Sequence, residues 1–316
     1  MRQPDNPATV YRGRFAPSPT GPLHFGSLVA AVGSYLDARH HGGEWLVRIE
    51  DLDPPRAIPG AADDILRTLE ALGLNWDRPV VCQSRRTRHY AAALRDLESR
   101  ELIYPCACSR KEIADSTVGT VSGNVYPGTC RRGLPPGRSA RALRVRVDAA
   151  EVQVTDRLQD RLYHRLDIDT GDFVVRRADR LIAYQLAVVV DDAAQAVTHV
   201  VRGADLYDST ARQIHLQRLL GYPAPAYLHL PVAVNDNGEK LSKQTRASGI
   251  VPEAANKALI DSLEFLRQPL PDSPADASRD ELIAWAIAHW DVKRIPACRQ
   301  LPAPAPYTGH RPAQSG

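Results

Sequence analysis

The run Arg14-Phe15-Ala16-Pro17-Ser18-Pro19-Thr20-Gly21-Pro22-Leu23-His24-Phe25-Gly26-Ser27 constrains this 316-residue chain more than any other feature. Proline fixes φ and lacks a backbone donor, so prolines at 17, 19 and 22 end a strand and forbid a helix across them. Residues 9–16 alternate as a strand before the run, and 28–38 carry helical spacing after it. A second strand over 45–49 closes on Glu50-Asp51-Leu52-Asp53. Strand, helix, strand opens a βαβ unit and predicts a parallel sheet with crossover helices.

Helical patterns follow at 60–73 and 86–100. Residues 104–139, rich in Gly, Ser, Thr, Pro and Cys, read as a loop-rich insertion. Strands are expected at 143–147, 172–175, 197–202 and 228–234. The apolar run 183–192 reads as a buried strand that Asp191 and Asp192 end as local caps, with no catalytic role. Helices fit 209–220, stopped by Gly221, then 252–267 and 278–290. The last residues are Pro-rich and polar and read as a loose tail. No internal repeat is visible.

Composition narrows the class. The chain is 43% hydrophobic and 24% charged, the profile of a globular protein. Its longest near-apolar stretch, 181–190, falls short of the roughly 20 residues a bilayer needs. The N-terminus lacks the apolar core of a signal peptide, so a cytoplasmic protein is expected. A net charge of +3 identifies no partner, but only five basic residues are lysine and 35 are arginine. Two of those lysines fall in Lys240-Leu241-Ser242-Lys243. A compact ammonium suits a movable point charge, although an exposed turn accounts for the pair equally well.

The Pro-rich run sits where open α/β sheets bind ligands, beyond the carboxyl end of a strand and at the start of a helix. Helix-start N–H groups suit phosphate, Gly21 and Gly26 admit close approach, and His24 offers a donor. It is not a Walker loop, and taken alone it is equally an ordinary rigid turn.

Together with a second segment, Lys240-Leu241-Ser242-Lys243-Gln244, the run resembles the two signatures of class I aminoacyl-tRNA synthetases. His24-Phe25-Gly26-Ser27 stands for the "HIGH" element and the lysine segment for "KMSKS", with Leu241 for Met and Gln244 for the last Ser. The first signature is of the glutamate type. The likeness continues through Arg48-Ile49-Glu50-Asp51-Leu52-Asp53, through 184–192, and through His199-Val200-Val201-Arg202-Gly203-Ala204-Asp205. It spans about 14–244 in family order. Only about 70 residues follow the lysine segment, where full glutamyl-tRNA synthetases carry a large anticodon-binding domain. The chain thus resembles the truncated paralogue family, the glutamyl-queuosine tRNA(Asp) synthetases.

That resemblance implies a Rossmann-like parallel sheet with helices on both faces, an inserted zinc-bearing subdomain and a short helical C-terminal part. The expected limits are 9–103 and 181–250 for the two halves of the catalytic domain, 104–180 for the acceptor-like insertion, 251–295 for the C-terminal part and 296–316 for the tail. It implies activation of glutamate with ATP and Mg²⁺, without tRNA, and transfer to the queuosine base in the anticodon of tRNA(Asp). His24 and Lys243, with Lys240 in second rank, would stabilise phosphate charge, and Gly26 would border ATP. Arg14 and Arg202 suit carboxylate forks, Glu50 an ammonium, and Tyr184 a hydroxyl donor. The resemblance places them in the glutamate site with Phe15, Ala16, Pro17 and Ser18. A monomer without membrane contact is expected.

Cys106-Ala107-Cys108 and Cys130 suit zinc, which structural sites hold with four ligands. Three thiolates leave one position open, with Tyr126, water and Asp115 as candidates by spacing. The resemblance favours Tyr126, and the site reads as structural, one zinc per chain. Cys82 and Cys298 read as unpaired thiols. Arg131, Arg132, Arg138, Arg141, Arg144 and Arg146 form a stretch without an acid. It reads either as a solvated face or as a contact to tRNA phosphate. Three other functions compete: a minimal enzyme charging the 3′ end of tRNA(Glu), a non-catalytic tRNA-binding paralogue, and another adenylate-forming enzyme on the same fold.

Overall fold

The computed structural model describes residues 10–109, 111–113, 125–149, 151–241 and 249–308. Three parallel strands, β1 (Arg12–Phe15), β2 (Glu44–Ile49) and β3 (Val81–Cys82), form one group in the order β1-β2-β3. A second parallel group pairs β9 (His199–Gly203) with β10 (Ala226–Leu230). The groups meet where the Thr198 N–H donates to Arg12 O at 3.0 Å and the Arg12 N–H to Thr198 Oγ1 at 2.8 Å. Chain order therefore reverses between β1 and β9, the switch point at which such sheets bind ligands.

Side-chain alternation builds two cores. On β2, Trp45, Val47 and Ile49 join one cluster, whereas Arg48 points to the other face. Val201, Leu228 and Leu230 join the same cluster, and their neighbours Val200 and Tyr227 join the opposite one. Helices α1 (Phe25–His40) and α2 (Ala61–Ala71) join the core of the first face. Helix α3 (Thr87–Ser99) and the helices Tyr184–Ala194 and Thr210–Leu220 cover the second. The expected doubly covered parallel sheet is present.

The inserted subdomain is antiparallel. Strands β4 (Ile103–Cys106), β5 (Ala142–Val145) and β8 (Val174–Arg176) pair in that order, and β6 (Glu151–Val154) pairs with β7 (Leu162–Arg165). The hairpin β6–β7 has no counterpart among the expected elements; each of its strands is only four residues long. Among the described residues no helix is long and apolar enough to cross a membrane.

Three expectations are corrected. Residues 184–194 form a helix, not a strand, so Asp191 and Asp192 lie inside an element instead of capping one. A short unbroken apolar run has no periodicity, and eleven helical residues bury it between α3 and the helix Thr210–Leu220. Second, 228–234 is divided into β10 and β11 (Val232–Val234), interrupted at Pro231. Third, the loose tail fails for its described part. Strand β12 (Gln300–Pro302) pairs in parallel with β11, and Tyr307 stacks on Phe25 with centroids 4.3 Å apart while its hydroxyl donates to Asp261 at 2.7 Å. Apolar Leu301 and Tyr307 outweigh the Pro-rich composition; residues 309–316 lie outside the described set. The helices Ala255–Phe265 and Arg279–Ala288 share the core cluster of α1, so the C-terminal part is built onto the catalytic domain.

Candidate active site

The Pro-rich loop is pinned at three points. Pro17 O accepts from the Glu50 N–H at 2.9 Å, Pro19 O from the Ile58 N–H at 2.9 Å, and Leu23 O from the Ile250 N–H at 2.8 Å. Gly21 has φ of +133°, which only glycine adopts without strain. His24 ends the loop as the N-cap of α1, its Nδ1 accepting from the Ser27 N–H at 3.3 Å. The loop borders a cavity of about 790 Å³ beyond the carboxyl ends of β1, β2 and β9.

Almost every residue expected in the site lines that cavity. Arg14, Phe15, Ala16, Pro17 and Ser18 come from the end of β1 and the loop, with His24 and Gly26. Glu50 follows β2, Tyr184 opens its helix, Arg202 is the penultimate residue of β9, and Lys240 follows β11. Lys240 is ion-paired to Asp205. Leu241 is fully buried, so the apolar replacement in the lysine segment is a core residue. Lys243 lies outside the described residues.

The cations are held differently. Arg14 donates from Nε to Asp192 Oδ1 at 3.2 Å, and Arg48, wholly buried, reaches the same oxygen from Nη1 at 2.8 Å. Arg48 also lies 3.4 Å from Glu50 Oε1. Asp191 accepts from Gln83 at 2.9 Å, Arg86 at 2.5 Å and Tyr90 at 2.7 Å. Burial opposes ionisation of Asp192, but Arg14 and Arg48 outweigh it and hold the carboxyl below its ordinary range. For Glu50 burial wins over the Arg48 and Arg14 charges, and its carboxyl is pushed up. Burial likewise pushes the Tyr184 hydroxyl up. A buried carboxyl poised upward beside a cavity suits an incoming ammonium, which would restore its charge.

Among the described residues the acceptors of Arg202 are all neutral: His229 Nε2 at 3.0 Å, Gln213 Oε1 at 2.8 Å, Thr210 Oγ1 at 2.9 Å, and the Tyr184 hydroxyl and Leu206 O at 3.4 Å. Arg48, Asp192, His229 and Asp156 were not expected in the site. The available signal was a lone His inside the apolar strand Tyr227-Leu228-His229-Leu230 and an Arg inside Leu46-Val47-Arg48-Ile49. Each is a polar group that burial obliges to find partners.

The three cysteines gather in the insertion. Their sulfurs lie within 4.8 Å of one another, with Cys108 and Cys130 at 3.6 Å. The Tyr126 hydroxyl is 3.4 Å from Cys106 Sγ and 3.6 Å from Cys108 Sγ. Tetrahedral zinc with bonds of about 2.3 Å sets sulfurs roughly 3.8 Å apart, so this donor set fits one ion. Burial opposes ionisation of Cys106, but hydrogen bonds from Tyr126 and Arg144 outweigh it and hold that thiol below its ordinary value. Asp115 lies outside the described residues. Cys82 and Cys298 are free thiols.

The arginine stretch is used largely inside the insertion. Arg144 is buried, donating to Cys106 Sγ at 3.3 Å and lying 3.8 Å over the Tyr126 ring. Arg131 pairs with Asp148, Arg138 with Glu112, and Arg146 donates to the carbonyls of Glu101 and Arg131. Arg132 and Arg141 are exposed. For most of the stretch the local packing accounts for the charge.

Residues 10–270 match the model of the class I tRNA synthetases (E and Q), catalytic domain. The chain is 61% identical over 297 residues to the glutamyl-Q tRNA(Asp) synthetase of Dechloromonas aromatica, covering 93% of this chain and 99% of that protein. It is 51% identical over 304 residues to the glutamyl-Q tRNA(Asp) synthetase of Geobacter sulfurreducens, covering 94% and 97%. Among solved structures it is similar to a glutamate tRNA ligase from Elizabethkingia meningosepticum in complex with its amino acid, with TM-score 0.73 and 25% identity over 93% of this chain and 67% of that one. The glutamate-tRNA synthetase of Elizabethkingia anophelis shares the fold, with TM-score 0.75 and 24% identity over 94% and 68%. Fold, cavity and relatives agree, and the chain belongs to the class I tRNA synthetases of the glutamate and glutamine type, within the group named glutamyl-Q tRNA(Asp) synthetases.

Proposed function

We propose that this chain activates glutamate with ATP, without tRNA, and transfers it to the queuosine base in the anticodon of tRNA(Asp). The observation that carries the reading is the meeting of Arg14, Glu50, Tyr184 and Arg202 with His24 in one cavity at the sheet's switch point. The set offers two forks for carboxylates and one anion for an ammonium, which matches an amino acid with a second carboxylate. The likeness to relatives named for this reaction supports the same substrate.

In the first step a glutamate carboxylate oxygen attacks the α-phosphorus of ATP, the bond to the bridging oxygen breaks, and pyrophosphate leaves. Such transfers depend on position and on charge stabilisation. His24, fixed as the cap of α1, donates to phosphate oxygens beside the helix N-terminus. Lys243 supplies one cation and Lys240 another, and Gly26 lets the nucleotide lie close to the backbone. Bound Mg²⁺ would offset charge on the phosphates of ATP. In the second step a hydroxyl of the queuosine cyclopentenediol attacks the activated carbonyl carbon. An ester forms, the anhydride bond to phosphate breaks, and AMP leaves with the hydroxyl proton.

Cys106, Cys108, Cys130 and Tyr126 would hold one structural zinc, whose chemistry is to cross-link the insertion. The buried Arg144 guanidinium beside Cys106 offsets the negative charge of such a ligand set. In this reading the chain works as a monomer in the cytoplasm.

The test is transfer of labelled glutamate, with ATP and Mg²⁺, to tRNA(Asp) carrying queuosine, to the unmodified tRNA(Asp), and to tRNA(Glu). Label on the queuosine-bearing tRNA alone is expected. Label on tRNA(Glu) would instead make the chain a minimal glutamyl-tRNA synthetase, and label on none would leave a binding protein.

A further inference from the structure

Arg202 and His229 face each other across the parallel pair β9–β10, in register. His229 is completely buried. An arginine Nε always carries its hydrogen, so the 3.0 Å contact requires a lone pair on His229 Nε2. The imidazole proton then resides on Nδ1, which lies 2.6 Å from Asp156 Oδ2. Asp156 is itself buried and accepts from the N–H groups of Leu158 at 3.0 Å, Gln159 at 2.9 Å and His229 at 3.2 Å. Burial opposes its ionisation, but the His229 ring hydrogen bond first and the backbone N–H groups after it outweigh that and keep the carboxyl below its ordinary range. The imidazole, by contrast, is held below its ordinary value by burial, with the Arg202 charge acting the same way.

The comparison with Arg14 gives the arrangement its meaning. Arg14 is paired directly with a carboxylate, Asp192. Among the described residues Arg202 has no ion-pair partner, and a neutral ring stands between it and Asp156. We infer that His229, locked in its Nδ1-protonated form by Asp156, is a positioning residue that aims Arg202 while leaving its charge for the substrate's carboxylate. A direct carboxylate partner in place of the imidazole would neutralise the guanidinium and weaken discrimination between an acid and its amide. The role resembles that of any buried acid that fixes an imidazole tautomer for the group beyond it. The inference rests on the reading of this cavity as a glutamate site.

The experiment is glutamate-dependent ATP–pyrophosphate exchange with the full chain, comparing His229→Asn, His229→Gln and Asp156→Asn. Asn at 229 reproduces the Nδ1 contact but cannot reach Arg202, whereas Gln extends an amide oxygen toward it. His229→Asn is expected to raise the KM for glutamate about tenfold or more, the loss of one hydrogen bond to a charged group. Its kcat and its KM for ATP should stay within about threefold, and its preference for glutamate over glutamine should fall. His229→Gln should recover most of the glutamate KM. Asp156→Asn should raise the KM as His229→Asn does, because its amide lets the ring take the other tautomer, and it serves if the histidine variant does not fold. An unchanged glutamate KM in folded, active His229→Asn or Asp156→Asn overturns the inference alone. A fall in kcat with no change in KM overturns it too. Absence of glutamate-dependent exchange in the wild-type chain overturns the glutamate reading and the inference with it.

Discussion

Arg48 and Asp192 form an ion pair at 2.8 Å in which the arginine is entirely out of solvent. The same carboxylate holds Arg14, so one anion fixes the fork at the cavity wall and the buried cation behind it. Removing one partner of a buried pair leaves an uncompensated charge. Asp192→Asn is therefore expected to destabilise the fold by about 3 kcal/mol or more, read by denaturant unfolding. A loss below about 1 kcal/mol would mean that water or another carboxylate takes over its place.

Glu50 sets a pH dependence. Burial raises its carboxyl against the pull of Arg48 and Arg14, so the folded chain holds that proton more tightly than the unfolded one. Stability from this group is complete below the ordinary carboxylate value and is lost as pH rises through the raised folded value. Gln at this position does not titrate. The melting temperature of Glu50→Gln relative to wild type should climb across that rise, while glutamate binding is lost. A difference that stays flat with pH would remove Glu50 from the titration.

Arg202→Lys separates fork from charge. Lysine keeps the cation but lacks the planar donors that reach His229, Gln213 and Thr210 together. The KM for glutamate should rise by roughly 30-fold or more, with the KM for ATP unchanged. Equal effects on both substrates would assign the residue to general packing.

His24→Ala and Lys243→Ala should fold normally yet lose pyrophosphate exchange by about 100-fold each, the usual cost of deleting one charge-stabilising donor. Circular dichroism checks the fold and exchange kinetics the chemistry. Exchange at the wild-type rate would take the residue out of the reaction.

Freshly purified protein should carry about one zinc per chain, and Cys106→Ser should lose it. Hydrogen exchange should then rise around Cys106, Tyr126 and Cys130, which pack as a small core of their own, while the helix Tyr184–Ala194 keeps its protection. Metal analysis finding none would end the zinc assignment.

Much of this site was legible in one dimension. The Pro-rich run and the lysine segment are legible as residue types in order, and the resemblance they carry, not their own chemistry, puts His24, Glu50, Tyr184 and Arg202 in one site. The cysteines are legible through spacing alone. The run ending at Asp192 was misread, because an unbroken apolar stretch carries no period and only packing on both sides decided that it coils. The tail was misread because Leu301 gains its value from pairing with Ala233 and Tyr307 from stacking on Phe25, both distant in sequence.

The sequence by itself determined which groups the cavity needs, since an amino acid with two carboxylates demands forks and an anion whatever surrounds them. Only the tertiary structure decided how each fork is charged. Arg14 meets Asp192 because a helix brings that carboxylate under β1, and Arg202 meets a neutral imidazole because β10 lies in register beside β9. Both outcomes depend on which side chains share a dry space, a property of packing that no local run of residues contains.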